Sequence, residues 1–94
     1  MHEATEYLRD QVIENIRLYQ SGRITTDTLA TRITHLNFDG RLTDEVRADD
    51  PELALIIEDY APYLEVDPES YVDYLERIVT YASPDSGCRP FGRI

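Results

Sequence analysis

From residue 3 to residue 82 the apolar side chains recur at the spacing of one helix face, and no segment alternates long enough to make a strand. Leu8, Val12, Ile16 and Tyr19 follow at i, i+4, i+8 and i+11, which predicts an amphipathic helix over residues 4–20. Ser21-Gly22 stops it, since glycine takes the left-handed conformation at no steric cost. Thr25 or Thr26 caps a second helix over 26–37, with Leu29, Ile33 and Leu36 on its inner face and Asp39-Gly40 at its end. Leu42 and Val46 anchor one turn within a long connection over 41–49.

Two later helices share a start signal. Asp50-Pro51-Glu52 and Asp67-Pro68-Glu69 each offer a capping Asp, a proline at the first helical position and an acid in the first turn. The first opens a helix over 51–61 carrying Leu53, Ile56, Ile57, Tyr60 and Leu64. Pro62 is expected to end or kink it, because its ring clashes with the carbonyl four residues back. The second opens a helix over 68–82 with Tyr71, Leu75, Ile78 and Ala82 inward. These lengths predict an all-α fold, a small antiparallel four-helix bundle over residues 1–82. Its expected core is Leu8, Val12, Ile16, Leu29, Ile33, Leu36, Leu53, Ile57, Leu75 and Ile78. Residues 83–94 have Gly, Pro and Arg without a period and read as a flexible, irregular tail, docked only if Phe91 or Ile94 finds a site.

Charge adds a second constraint. Nineteen acids against nine basic residues, all of them Arg, leave a net charge of −10. This disfavours a nucleic-acid binder, which brings a basic face to the phosphates, so no direct nucleic-acid binding is expected. Residues 48–76 contain ten acids and no Arg, Lys or His, so this stretch accounts for the imbalance. Solvated surfaces interleave both signs, because like charges repel. A one-sided segment is read either as a plain solvated surface or as the mark of a basic partner, and the absence of any compensating base favours the partner. By contrast Glu3, Glu6, Asp10 and Glu14 on the first helix have Arg9 and Arg17 at pairing distance along the chain.

Five of the seven tyrosines lie between residues 60 and 81. Tyr71 falls on the core stripe, and Tyr74 and Tyr81 on its shoulder. Tyrosine is enriched at binding hot spots. The candidate partner-binding residues are therefore Glu58, Asp59, Glu65, Asp67, Glu69, Asp73 and Glu76, with Tyr63 and Tyr74 as anchors. Asp50 and Asp67 also serve as caps, and Glu69 and Glu76 share a wheel position with Asp73 one step round. Leu55 falls on the polar side of its helix, as late core or exposed anchor.

The residues for catalysis are missing. A calcium loop starting at Asn37 or Asp39 fails, since Arg41 stands at the fifth position from Asn37. His2 and His35 have no partner at zinc spacing. Cys88 has an Arg neighbour but no nearby His, and as a single cysteine it makes no internal disulfide. Neither a phosphate loop nor a nucleophile elbow occurs. Thr25 to Leu36 has the outline of a helix-turn-helix start, but only Arg32 and Arg41 are basic near it. No enzyme activity, metal or cofactor is expected. With no membrane-length apolar run and a start, Met1-His2-Glu3-Ala4, unlike a signal peptide, the expected location is the cytoplasm.

The segment Leu18-Tyr19-Gln20-Ser21-Gly22-Arg23-Ile24-Thr25-Thr26-Asp27-Thr28-Leu29 resembles the small acidic helical immunity proteins of the colicin D type. These have an opening helix, a small-residue turn followed by isoleucine, and a Thr/Ser-capped second helix. The acid and aromatic stretch with its closing helix, residues 58–78, is similar in outline. The resemblance implies a four-helix fold whose carboxylates occupy the active site of a cationic nuclease toxin. Two other classes share this size and charge. One is a phage-encoded inhibitor of a bacterial defence system, of anti-CRISPR or anti-restriction type, whose carboxylates mimic nucleic-acid phosphates. The other is a helical adaptor module, homodimeric in the simplest case.

Overall fold

A computed structural model of the chain describes residues 2–82, with the side chain of Asp39 left aside. The expectations for residues 83–94, Cys88, Phe91 and Ile94 included, lie outside the described residues. The fold is all-α. Helix α1 spans Glu3–Gln20, and α2, Thr26–His35, runs into a 3₁₀ turn at Leu36–Asp39. Helix α3 is Asp44–Asp49. A continuous rod follows, made of α4 (Pro51–Leu55), a π-helical turn (Ile56–Tyr60) and α5 (Ala61–Val66), and α6 is Val72–Tyr81.

The α1 terminus shows how directly local chemistry acts. Arg23 N–H donates to the Leu18 carbonyl at 2.9 Å and Gly22 N–H to Tyr19 at 3.0 Å, while Gly22 takes φ 81°. This is the paired-bond helix stop that requires a left-handed residue. Thr25 then caps α2, its hydroxyl accepting from Thr28 N–H at 3.2 Å. Gly40 ends the 3₁₀ turn, also in the left-handed region, at φ 77°.

Three expectations about the helices are corrected. The four expected helices become five rods, because the segment around Val46 forms α3 and buries that valine completely. Pro62 does not end the third expected helix at residue 61. Ala61 N–H reaches the Ile56 carbonyl, five residues back, so the preceding turn widens into a π turn and the rod continues to Val66. The widened turn is a recognised way for a helix to absorb a local misfit. The last helix starts at Val72 rather than 68. Asp67 accepts from Ser70 N–H and Oγ at 3.3 and 2.7 Å, closing one turn. Tyr71 then leaves the helical region, at φ −111° and ψ 34°, and α6 begins anew. Glu69 is therefore off the α6 wheel it was expected to share with Glu76.

The core gathers Leu8, Val12 and Ile16 from α1, Leu29, Ala30 and Ile33 from α2, and Val46, Leu53, Ile56, Ile57, Ala61, Leu64 and Ile78 from the later rods, all fully buried. The packing of α2 on α5 is the most extensive, and α1 closes over α2 and α3. Helix α6 packs on α5, the π turn and α1. Leu75 is a correction: it is half-buried at the rim, because α6 turns Ile78 rather than Leu75 into the core. Tyr71 is likewise half-buried rather than core. No described helix is long and apolar enough to cross a membrane.

Candidate functional site

The acid-rich stretch 48–76 runs from the end of α3 through the long rod into α6, and the fold treats its carboxylates unequally. At the α3 end Asp49 and Asp50 are engaged by partners, while Glu52 stays exposed in the first turn of α4. Asp49 Oδ2 accepts from His2 N–H at 2.8 Å and Thr5 Oγ1 at 2.9 Å, and His2 Nδ1 lies 2.7 Å away. The His2 backbone bond, with the His2 ring and Thr5 behind it, holds the Asp49 carboxyl far below the usual carboxylate range. Asp50 caps α4 through Leu53 N–H at 3.1 Å. Its other oxygen accepts from the Tyr81 hydroxyl at 2.6 Å, with Arg9 Nε 3.7 Å away. Burial, then the bond to Asp50, pushes the Tyr81 phenol above its ordinary value.

Glu58 belongs to this engaged group. Arg47 donates to it through Nε at 2.8 Å and through its second nitrogen at 3.0 Å, the planar fork that suits guanidinium to carboxylate. The Arg47 bond holds the Glu58 carboxyl below its usual value. Arg47 stands one residue outside the base-free stretch and eleven from Glu58, so no local spacing links them. Asp67 is lowered by its bonds to the Ser70 hydroxyl and backbone. Glu65, although exposed, accepts from Thr31 Oγ1 on α2 at 2.9 Å.

The remaining candidates face solvent. Asp59, Glu69, Asp73 and Glu76 are exposed, and among the described residues none of the four side chains makes an ion pair. Arg77 lies near enough to Asp73 to feel its charge. Asp59 borders an open depression with Leu55, which is 40% exposed. The two candidate anchors, Tyr63 and Tyr74, meet in one stack. Their ring centroids are 5.7 Å apart, Tyr71 stacks on them at 5.3 and 5.4 Å, and Tyr60 stacks on Tyr74 at 5.0 Å. Offset ring contacts of this kind add about 0.5–1.5 kcal/mol each beyond the area they bury. Arg77 closes the inner end, its guanidinium carbon 5.6 Å from the Tyr60 centroid and a nitrogen 3.3 Å from the Tyr60 hydroxyl. Tyr63, at the outer end, remains 47% exposed.

The nine sequence-chosen residues therefore do not form one surface of equivalent groups. Glu58, Asp67 and Tyr74 are partly or largely enclosed, whereas Asp59, Tyr63, Glu65, Glu69, Asp73 and Glu76 are open, Glu65 while bonded to Thr31. Sequence reasoning missed Val66 and Val72, 80% and 56% exposed on either side of the turn at Asp67. The signal was there for Val72, which lies far round the wheel from Ile78. Among the described residues, no group of three His, Cys, Asp or Glu side chains is placed to hold a metal ion. In comparison with known proteins, no family model matches the chain, and neither a curated protein nor a solved structure is significantly similar to it.

Proposed function

We propose that the chain is a non-catalytic inhibitor that binds a basic protein partner and blocks it, with a nuclease toxin as the partner, as the immunity-protein resemblance implies. The observation that supports this reading is the division of the acidic stretch. Glu69, Asp73 and Glu76 are exposed and make no ion pair among the described residues, while Asp49, Asp50 and Glu58 are engaged within the fold. Unpaired like charges cost self-repulsion that a cationic partner relieves. A nuclease cleft is cationic because it holds phosphates, and carboxylates occupy it by charge complementarity while also speeding encounter. Tyr63 supplies an amphipathic anchor beside them. In this role the chain acts in the cytoplasm, where a nuclease toxin meets its nucleic acid.

The test uses the full chain as bait in source-cell lysate at low and high salt, followed by a nuclease assay on what it captures. Salt-sensitive capture of a nuclease that the chain silences supports the reading. Capture of a defence complex that binds nucleic acid, or self-association alone, refutes it.

A further inference from the structure

Helix α6 carries more apolar surface than the core takes up. Ile78 is fully buried, Tyr74 joins the ring stack and Tyr81 bonds to Asp50. Val72, Leu75 and Val79 follow at i, i+3 and i+7 along the next strip, and none of them is fully buried. With Tyr19 from the last turn of α1 they line an open groove of about 560 Å³, whose other lining residues include Asp73 and Glu76 and, among the described residues, no basic side chain. Apolar floor and acidic rim thus occur together on one helix of ten residues.

Building on the functional reading above, we propose that this groove receives the apolar face of a basic amphipathic helix on the partner protein. Helix-in-groove recognition lays the apolar face of an amphipathic helix into a hydrophobic groove, and Val72, Leu75 and Val79 with Tyr19 supply such a floor. The length matches as well: ten helical residues span about 15 Å, close to three turns of a docked helix. Asp73 and Glu76 select for Arg or Lys flanking the apolar knobs, as the net charge of −10 does at longer range. Val72 sets the requirement for an apolar contact, since it is held at the surface in a position where a purely phosphate-like surface has no use for it. The partner is thereby specified as a protein helix with both characters, and not as any cationic channel.

The full chain, labelled with ¹⁵N, is titrated with two synthetic Leu/Lys peptides of identical composition. One is ordered as an amphipathic helix and the other scrambled so that its leucines encircle the helix. The ordered peptide should move the amides of Val72, Leu75, Glu76 and Val79. It should bind at least about tenfold tighter than the scrambled one, the worth of burying one or two methylenes. Val72→Asp should abolish that preference, and Glu76→Lys should weaken both peptides, with circular dichroism confirming that each variant is folded. Equal affinity of the two peptides overturns the proposal, as do shifts confined to other helices. It is also overturned if the groove amides move on simple dilution, which marks a second copy as the occupant, or on Phe91→Ala, which marks residues 83–94. If the ordered peptide binds here but no nuclease is captured, the groove stands and the inhibitor reading falls. If a nuclease is captured and silenced equally by Val72→Asp, the reverse holds.

Discussion

The two ends of the acidic stretch have similar composition and largely opposite uses, with Glu52 exposed at the first end and Asp67 engaged at the second. Around α3 and α4, Asp49 gathers His2 and Thr5, Asp50 gathers Leu53 and Tyr81, and Glu58 gathers Arg47. From the Asp67 turn into α6, Glu69, Asp73 and Glu76 remain at the surface without an ion pair among the described residues. A window of net charge thus says little about which charges are available to a partner. The cations that neutralise the first end, Arg9 and Arg47, and the His2 ring come from outside the window and arrive only through folding. The two Asp-Pro-Glu starts make the same point. Asp50 and Asp67 adopt nearly the same backbone, φ −148°, ψ 85° and φ −153°, ψ 87°, and both accept a bond from the N–H three residues on. The first continues into α4 because Leu53 and Ala54 enter the core at once. The second stops after one turn, where Tyr71 joins the ring stack and sets a new direction.

This contrast is broken most severely in the core beneath the engaged end. Leu53→Ala, at a fully buried site in α4, should cost about 2–5 kcal/mol, whereas Leu75→Ala at the α6 rim should cost about 1 kcal/mol. Urea melts of the two variants check the ranking, and equal losses would show that α6 is packed more deeply than its exposure indicates.

Next come the caps. Asp50→Ala should cost about 1–2 kcal/mol, because it removes the α4 cap and leaves the Tyr81 hydroxyl without its acceptor. Asp67→Ala should cost less, since it frees only one turn. Thermal unfolding by circular dichroism compares them.

Acid should attack the engaged end. Asp49, Glu58 and Asp67 are all held below their ordinary values in the fold. The stability they add is complete above about pH 4–5 and is lost as the pH falls through their folded values. The urea midpoint should therefore decline on acidification below that range, and Asp49→Asn should flatten the decline. At the alkaline end Tyr81 has the opposite sign. Its raised value means that stability is whole below about pH 10 and falls as the pH rises above it. Tyr81→Phe should remove that alkaline loss, although it lowers the midpoint at neutral pH.

The smallest effect on the fold is expected at the open end. Reversing Glu69, Asp73 and Glu76 to Lys should change stability by no more than about 0.5 kcal/mol, while slowing association with the captured nuclease. Reversal of Glu3, Glu6 and Asp10 should slow it much less. Surface plasmon resonance at two salt concentrations reads both, and equal slowing would mean that net charge alone governs encounter.

Local chemistry in the sequence determined a good deal of this protein. The 3.6-residue period placed α1, α2 and Ile78, the Ser21-Gly22 stop and Thr25 cap were legible from residue type, and the all-α class followed. Each depends on residues within about one helical turn of one another, which is the range that a linear pattern encodes. What tertiary structure decided lies beyond that range. Pro62 was absorbed because burying Ile57, Tyr60, Ala61 and Leu64 together keeps the rod intact through a widened turn. Val46 made a helix of a connection by entering the core. Arg47 was matched to Glu58, His2 to Asp49 and Tyr81 to Asp50 across 11, 47 and 31 residues. Carboxylate availability depends on such long-range partners, whose proximity follows from packing the rods and not from the order of residues along any one of them.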